Sequence, residues 1–125
     1  LGRQLEKKLI EYSPINLINN TTLTELIEII RLARILVSND TSAIHIAAGV
    51  NTQSVCILGG GHYGRFLPYP DSIEGIKPAI VINKMDCFGC NWHCKFSNDT
   101  SLPYPCISEI EVDRVFETIE NIIQD

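Results

Sequence analysis

Residues 35–49 read Ile35-Leu36-Val37-Ser38-Asn39-Asp40-Thr41-Ser42-Ala43-Ile44-His45-Ile46-Ala47-Ala48-Gly49. Three apolar residues in succession, Ile35 to Val37, predict a strand covered on both faces, as the central strands of parallel sheets are. Asn39 to Ser42 breaks that strand, and a short helix follows from near Asp40 or Thr41, with Gly49 as its stop. The first turn of such a helix carries N–H groups without intrahelical partners and the positive end of the helix dipole, which together attract phosphate. Thr41 and Ser42 bring hydroxyl donors to the same point. His45 lies four residues after Thr41 and three after Ser42, so it shares their face and leans back toward the helix start. Thr41, Ser42 and His45 are therefore candidate ligands of an anionic group. The same residues also fit a plain reading, with Asp40 or Thr41 an ordinary N-cap and His45 bonded locally.

Working outward, Gly2 to Glu11 predicts a short helix with Leu5, Leu9 and Tyr12 on one side, stopped by Pro14. Ile15 to Ile18 reads as a short strand closed by Asn19-Asn20. Thr22 and Glu25 have capping-box spacing, and Leu23, Leu26, Ile27, Ile30 and Ala33 form the apolar stripe of the helix they open. Downstream, Ser54 to Leu58 is an apolar strand ended by Gly59-Gly60-Gly61. His62 to Lys77 is a long loop containing Pro68, Pro70 and Gly75, and Ala79 to Ile82 is another strand. Ser108 and Glu111 are spaced as a second capping box, ahead of a stripe of Val112, Val115, Phe116, Ile119, Ile122 and Ile123. Strands alternating with helices give an α/β fold, a Rossmann-like parallel sheet flanked by helices. Ligands of such sheets bind at strand-to-helix turns, and Ser38 to His45 is the conspicuous turn here.

Composition narrows the function. The 125 residues suit one domain, with 45% hydrophobic and 20% charged residues. No apolar run approaches the roughly 20 residues of a membrane span. The net charge of −5 and the lack of a basic stripe argue against a nucleic-acid partner. They leave room for a phosphorylated small molecule, because a local site can be positive on an acidic protein. Leu1 lies inside the first predicted helix, so we expect this chain to be a piece of a longer protein.

Two further segments carry chemistry. Gly59, Gly60 and Gly61 allow a backbone to approach a ligand closely, and His62 and Arg65 follow within reach of a phosphate or an acceptor. That makes them a candidate cleft loop, against the alternative of a solvated surface loop. Cys87, Cys90, Cys94 and Cys106 can present four thiolates to one Zn²⁺, with His93 as a substitute ligand. Two disulfides, four free thiols or an iron–sulfur cluster fit the same spacing. Cys56, in an apolar strand, reads as core.

The segment Val37 to Gly49 resembles the donor-binding signature of glycosyltransferase family 9, the ADP-heptose:lipopolysaccharide heptosyltransferases and their relatives. That pattern is an apolar residue, then x-N-D-[ST]-G-x-x-H-x-A-A-A, then a strand and a Gly-rich turn. Thr22-Leu23-Thr24-Glu25-Leu26 resembles the family's helix start, and Arg65-Phe66-Leu67-Pro68-Tyr69 the end of a Gly-rich stretch in some of its branches. The resemblance runs from about Asn19 to Leu67 and resumes near the C-terminus. Ser42 stands where the family usually has Gly, and adds a side chain where a donor phosphate approaches.

The resemblance implies a GT-B fold, two Rossmann-like domains with a cleft between them. Residues 1–125 would be its C-terminal, nucleotide-sugar-binding domain, with a Cys-rich segment at about 86–106. Asp40, Thr41, Ser42 and His45 would cradle the diphosphate of an ADP-heptose-like donor. Glu6 is the nearest candidate for the ribose-binding acid. Transfer would be inverting and need no divalent metal or other cofactor, any zinc being structural. The general base and the site for a lipopolysaccharide or related glycan acceptor would lie in the N-terminal domain. The implied location is cytoplasmic, peripheral at the inner membrane. The alternative is a non-catalytic, zinc-stabilised protein-interaction module that uses the Cys segment for a partner and the Asp40 turn only as a cap.

Overall fold

The computed structural model describes residues 2–96 and 102–124. The elements run α1 (Gly2–Lys8), α2 (Leu23–Leu32), β1 (Leu36–Asn39), α3 (Ser42–Gly49), β2 (Ser54–Ile57), β3 (Ala79–Val81), α4 (Pro105–Ser108) and α5 (Val112–Gln124). Single 3-10 turns cover Ile10–Tyr12 and Gly60–His62. The three strands form one parallel sheet in the order β1-β2-β3. The α/β class and the parallel sheet are as the alternation of elements indicated. Among the described residues no helix is long and apolar enough to cross a membrane.

Helix α2 starts where its sequence dictates. The Thr22 side chain accepts from the Glu25 backbone N–H, and the Glu25 carboxylate accepts from the Thr22 N–H at 2.7 Å. That reciprocal cap satisfies two N–H groups the helix itself cannot, and it holds the Glu25 carboxyl below the usual carboxylate range. Ile30 is the buried residue of the apolar stripe, with Leu26 and Ile27 half-buried, while Leu23 stays exposed. The Thr52 hydroxyl, itself buried, donates to the Ile30 carbonyl at 2.8 Å and ties the approach to β2 onto the end of α2.

Helix α3 packs on α2, β1 and β2 and supplies Ile44 and Ala47, both fully buried. Ile44 meets Cys56 and Leu58 at the end of β2, and Leu67 from the following loop. Leu36, Tyr63, Tyr69, Ile80 and Ile82 close around this cluster. Leu67 thereby pins residues 62–69 to the core by its side chain. Helix α5 packs on β2 and β3 and is fastened near both ends: its own Arg114 donates to the Ile82 carbonyl, and Arg34 donates to the carbonyl of Ile123.

Four sequence expectations are corrected. Ile15 to Ile18 forms no strand: Ile15 is 84% exposed, Asn19 takes a left-handed φ of 60°, and Asn20 N–H turns back to the Leu17 carbonyl. A strand exists only by pairing, and this segment pairs with nothing in the sheet. Strand β1 is at the edge of the described sheet, not its centre. Leu36 joins the core, but Val37, on the opposite face, is 42% exposed because α5 covers β2 and β3. Ser108 does not open α5; it closes α4, whose first residue is Pro105, and α5 begins four residues later at Val112. The stripe of α5 is also shallower than its periodicity indicated, with Val115, Ile119, Ile122 and Ile123 half-buried and Val112 and Phe116 exposed.

The glycines differ sharply in what they tolerate. A Cβ on Gly60 would run into the Phe88 ring, whereas one on Gly49 would meet nothing. Gly60→Ala should therefore cost about 1–3 kcal/mol by overpacking. Gly49→Ala, at the exposed end of α3, should be neutral or gain up to about 1 kcal/mol. Urea unfolding of the two variants checks the contrast, and Phe88→Leu should recover part of the Gly60→Ala loss.

Candidate functional site

The parallel register sets Ser38 beside Cys56 and Asn39 beside Ile57, so the turns after β1 and β2 leave the same end of the sheet side by side. A concavity of about 360 Å³ opens there, lined by Asp40, Thr41, Ser42, His45, His62 and Phe66. The four candidates of the first turn are brought together, and His62 joins them from the second. Carboxyl ends of parallel strands are where α/β sheets bind ligands. An apolar groove of about 420 Å³ also runs along α2, but its carboxylates are already engaged, Glu25 in the cap and Glu28 with Arg31.

Thr41 is the N-cap residue of α3, yet no side chain caps this helix. The Thr41 hydroxyl lies 3.1 Å from that of Ser38, and Asp40 turns toward His45, its Oδ1 3.7 Å from Nε2. The ordinary-cap reading of Asp40 and Thr41 therefore does not hold. Thr41 and Ser42 at the start of α3 line the concavity, and no side chain occupies the first-turn N–H groups, as an incoming anion requires.

His45 is oriented from its far side. Its Nδ1 lies 2.5 Å from the Tyr69 hydroxyl. Burial, and then the nearby Asp40 charge, push the Tyr69 phenol up from its usual range, so it stays protonated. The Asp40 carboxylate on the other side can only accept, which places the ring hydrogen on Nε2 and leaves Nδ1 to accept from the phenol. Sequence reasoning quoted Tyr69 only as part of a loop; its partner is 24 residues away, and no local pattern joins them.

The glycine loop serves a different purpose from the one expected. Gly59, Gly60 and Gly61 are buried, and the space a side chain would take is filled by the chain itself. Phe88 lies on Gly60, and Trp92 on Gly59 and Gly61, with Ile107 also against Gly59. Gly89 N–H donates to the Gly60 carbonyl at 2.7 Å and Asn91 N–H to that of Gly61 at 2.9 Å. The missing side chains admit the Cys-rich segment, not a ligand. Of the loop's polar candidates, His62 reaches the concavity. Arg65 is exposed, its guanidinium 5.1 Å above the Phe66 ring.

Glu6 is not brought to the site. Its carboxylate accepts from the Asn16 side chain at 3.0 Å, which braces the turn after α1. The four late cysteines do converge: partial burial and the nearness of Cys90, Cys94 and Cys106 raise the Cys87 thiol above its usual range. All are free thiols, and Cys106 accepts from the Gly60 N–H at 3.4 Å. Among the described residues no three Cys, His, Asp or Glu side chains are grouped as ligands of one ion. Cys56, in the core as expected, is pushed up to about 12, by burial first and the Asp40 charge second. That cuts its thiolate fraction about a thousandfold below an ordinary thiol's. Iodoacetamide at pH 8 should modify Cys87, Cys90 and Cys94 and leave Cys56 untouched until denaturant is added, as read by peptide mass spectrometry.

No curated protein and no solved structure matches the chain. A family model does, that of glycosyltransferase family 9 (heptosyltransferase), over residues 3–92. The match begins well before Asn19, takes in both turns that build the concavity, and extends into the Cys-rich segment as far as Trp92. The strand–Asn-Asp-Thr-Ser–helix turn with His45 thus lies within a match that spans most of the molecule, and the chain belongs to glycosyltransferase family 9, the heptosyltransferase family.

Proposed function

We propose that residues 1–125 are the donor-binding half of a two-domain, GT-B glycosyltransferase. The concavity takes the diphosphate of a nucleotide-sugar of the ADP-heptose kind, and the acceptor, a lipopolysaccharide or related glycan, approaches from a second domain. The observation that carries this reading is the uncapped start of α3, with Thr41, Ser42 and His45 grouped around it.

The chemistry follows from charge. In an inverting transfer the acceptor oxygen attacks the anomeric carbon from the side opposite the leaving group. The bond from that carbon to the diphosphate breaks with its electron pair going to phosphate, and a base on the acceptor side takes the acceptor's proton. The leaving diphosphate gains negative charge, and this half of the site must stabilise it. Among the described residues no Lys or Arg lines the concavity. The stabilising groups are then the α3 N–H groups, the Thr41 and Ser42 hydroxyls and His45 Nε2–H, all preorganised donors. Asp40, an anion, is poorly suited to touch a phosphate. It faces the imidazole instead and orients it. The transfer in this proposal needs no metal or other cofactor.

The test is a calorimetric titration of the protein with ADP, UDP, GDP and CMP. One nucleotide should bind saturably, and His45→Ala should weaken it about tenfold or more, as loss of a hydrogen bond to a charged group does. Tyr69→Phe should weaken it about three- to tenfold through the tautomer of His45. Equal affinity in wild type and His45→Ala would remove the donor reading.

A further inference from the structure

We infer that His62 reads a hydroxyl group of the donor, and that Asn91 of the Cys-rich segment holds it in that role. The inference rests on the donor-site reading and adds the other half of its specificity.

His62 follows directly on the buried glycines and lines the concavity opposite the first turn. Its ring is held on both flanks, edge-on to Phe66 at 5.7 Å and to Trp92 at 5.6 Å. Its Nε2 lies 2.9 Å from Oδ1 of Asn91. Asn91 is fixed in turn, because its own backbone N–H donates to the Gly61 carbonyl. The histidine and its partner therefore hang from neighbouring points of one backbone.

A carboxamide oxygen can only accept a hydrogen bond, so Nε2 carries the hydrogen. The neutral ring then has a bare lone pair at Nδ1, the one nitrogen left for a ligand. A lone pair repels a phosphate oxygen and accepts from a hydroxyl. His45 has the complementary arrangement, with Nδ1 against Tyr69 and the hydrogen on Nε2, on the side of Asp40. The concavity thus presents one imidazole as a donor and another as an acceptor. A diphosphate bonded to a polyol answers both at once. The hydroxyl can belong to the ribose of the nucleotide or to the transferred sugar.

Asn91 has a left-handed φ of 51°, which Gly and Asp accept more readily than Ala or Leu. The informative variants are therefore Asn91→Gly, which removes the acceptor, and Asn91→Asp, which keeps one. Nitrogen-15 NMR of the histidine side chains should show His62 as the Nε2–H tautomer in wild type and Asn91→Asp, and as a mixture in Asn91→Gly. The probes are the best binder among ADP, UDP and GDP, its 2′-deoxy and 3′-deoxy forms, and its hexose conjugate. Asn91→Gly should bind the intact probe about three- to tenfold more weakly. If the ribose is read, that loss disappears with one of the deoxynucleotides; if the sugar is read, it appears only with the hexose conjugate. His62 found as the Nδ1–H tautomer in wild type, or equal affinity of wild type and Asn91→Gly for every probe, would overturn the assignment while leaving the diphosphate site standing. Absence of any nucleotide binding by wild type would remove the donor reading and this inference together.

Discussion

At the carboxyl end of the sheet, Asn39 pairs with Ile57, and the rest of the site depends on that register. Two strands that end level with one another deliver their following turns to the same place. The first turn leads into α3 with Asp40 and His45; the second leads through three glycines to His62. A slip of one residue would turn Leu36 and Cys56 away from Ile44 and send the two turns to different heights. The apolar cluster of Ile44, Cys56, Leu58 and Leu67 makes that slip costly, because it joins both strands' outlets to the helix and loop that carry the site. The same burial that stabilises the fold therefore sets the separation of the two walls.

Asp40 has an influence wider than its contacts. Its charge contributes to raising both the Tyr69 phenol and the Cys56 thiol, and it stands near the imidazole of His45. An acidic residue beside the proposed diphosphate site is paradoxical only if it is counted as a ligand. As the neighbour of a histidine, it holds the imidazole in position and adds to the burial that keeps the phenol and the thiol protonated. The neutral cradle it organises suits a protein of net charge −5, whose overall field gives an anion no help in arriving.

What the sequence disclosed depended on distance along the chain. The Thr22–Glu25 cap and the turn from Val37 to His45 were legible because their partners lie within five residues, where spacing alone dictates geometry. The α/β class followed from alternation in the same way. Expectations failed where the deciding partner is remote or missing. Ile15 to Ile18 has strand-forming residues but no neighbouring strand. Glu6 looked available until Asn16 took it. The three glycines signalled a close approach correctly, and only the identity of what approaches, Phe88 and Trp92, was beyond any local pattern. Tyr69 and Asn91, which set the two imidazoles, act across 24 and 29 residues. Each sits in a segment whose composition advertises something else, a proline-rich loop and a cysteine cluster.

Trp92 is the only tryptophan in the chain, and it lies where the Cys-rich segment meets the glycine loop. It stacks on Tyr104 on one side and presents an edge to His62 on the other, with 38% of its surface exposed. Indole emission is sensitive both to solvent and to a neighbouring imidazolium. The molecule consequently carries its own optical probe at the seam between its parallel sheet and its cysteine-bearing flank, and the intrinsic fluorescence of this chain is a record of how that seam is closed.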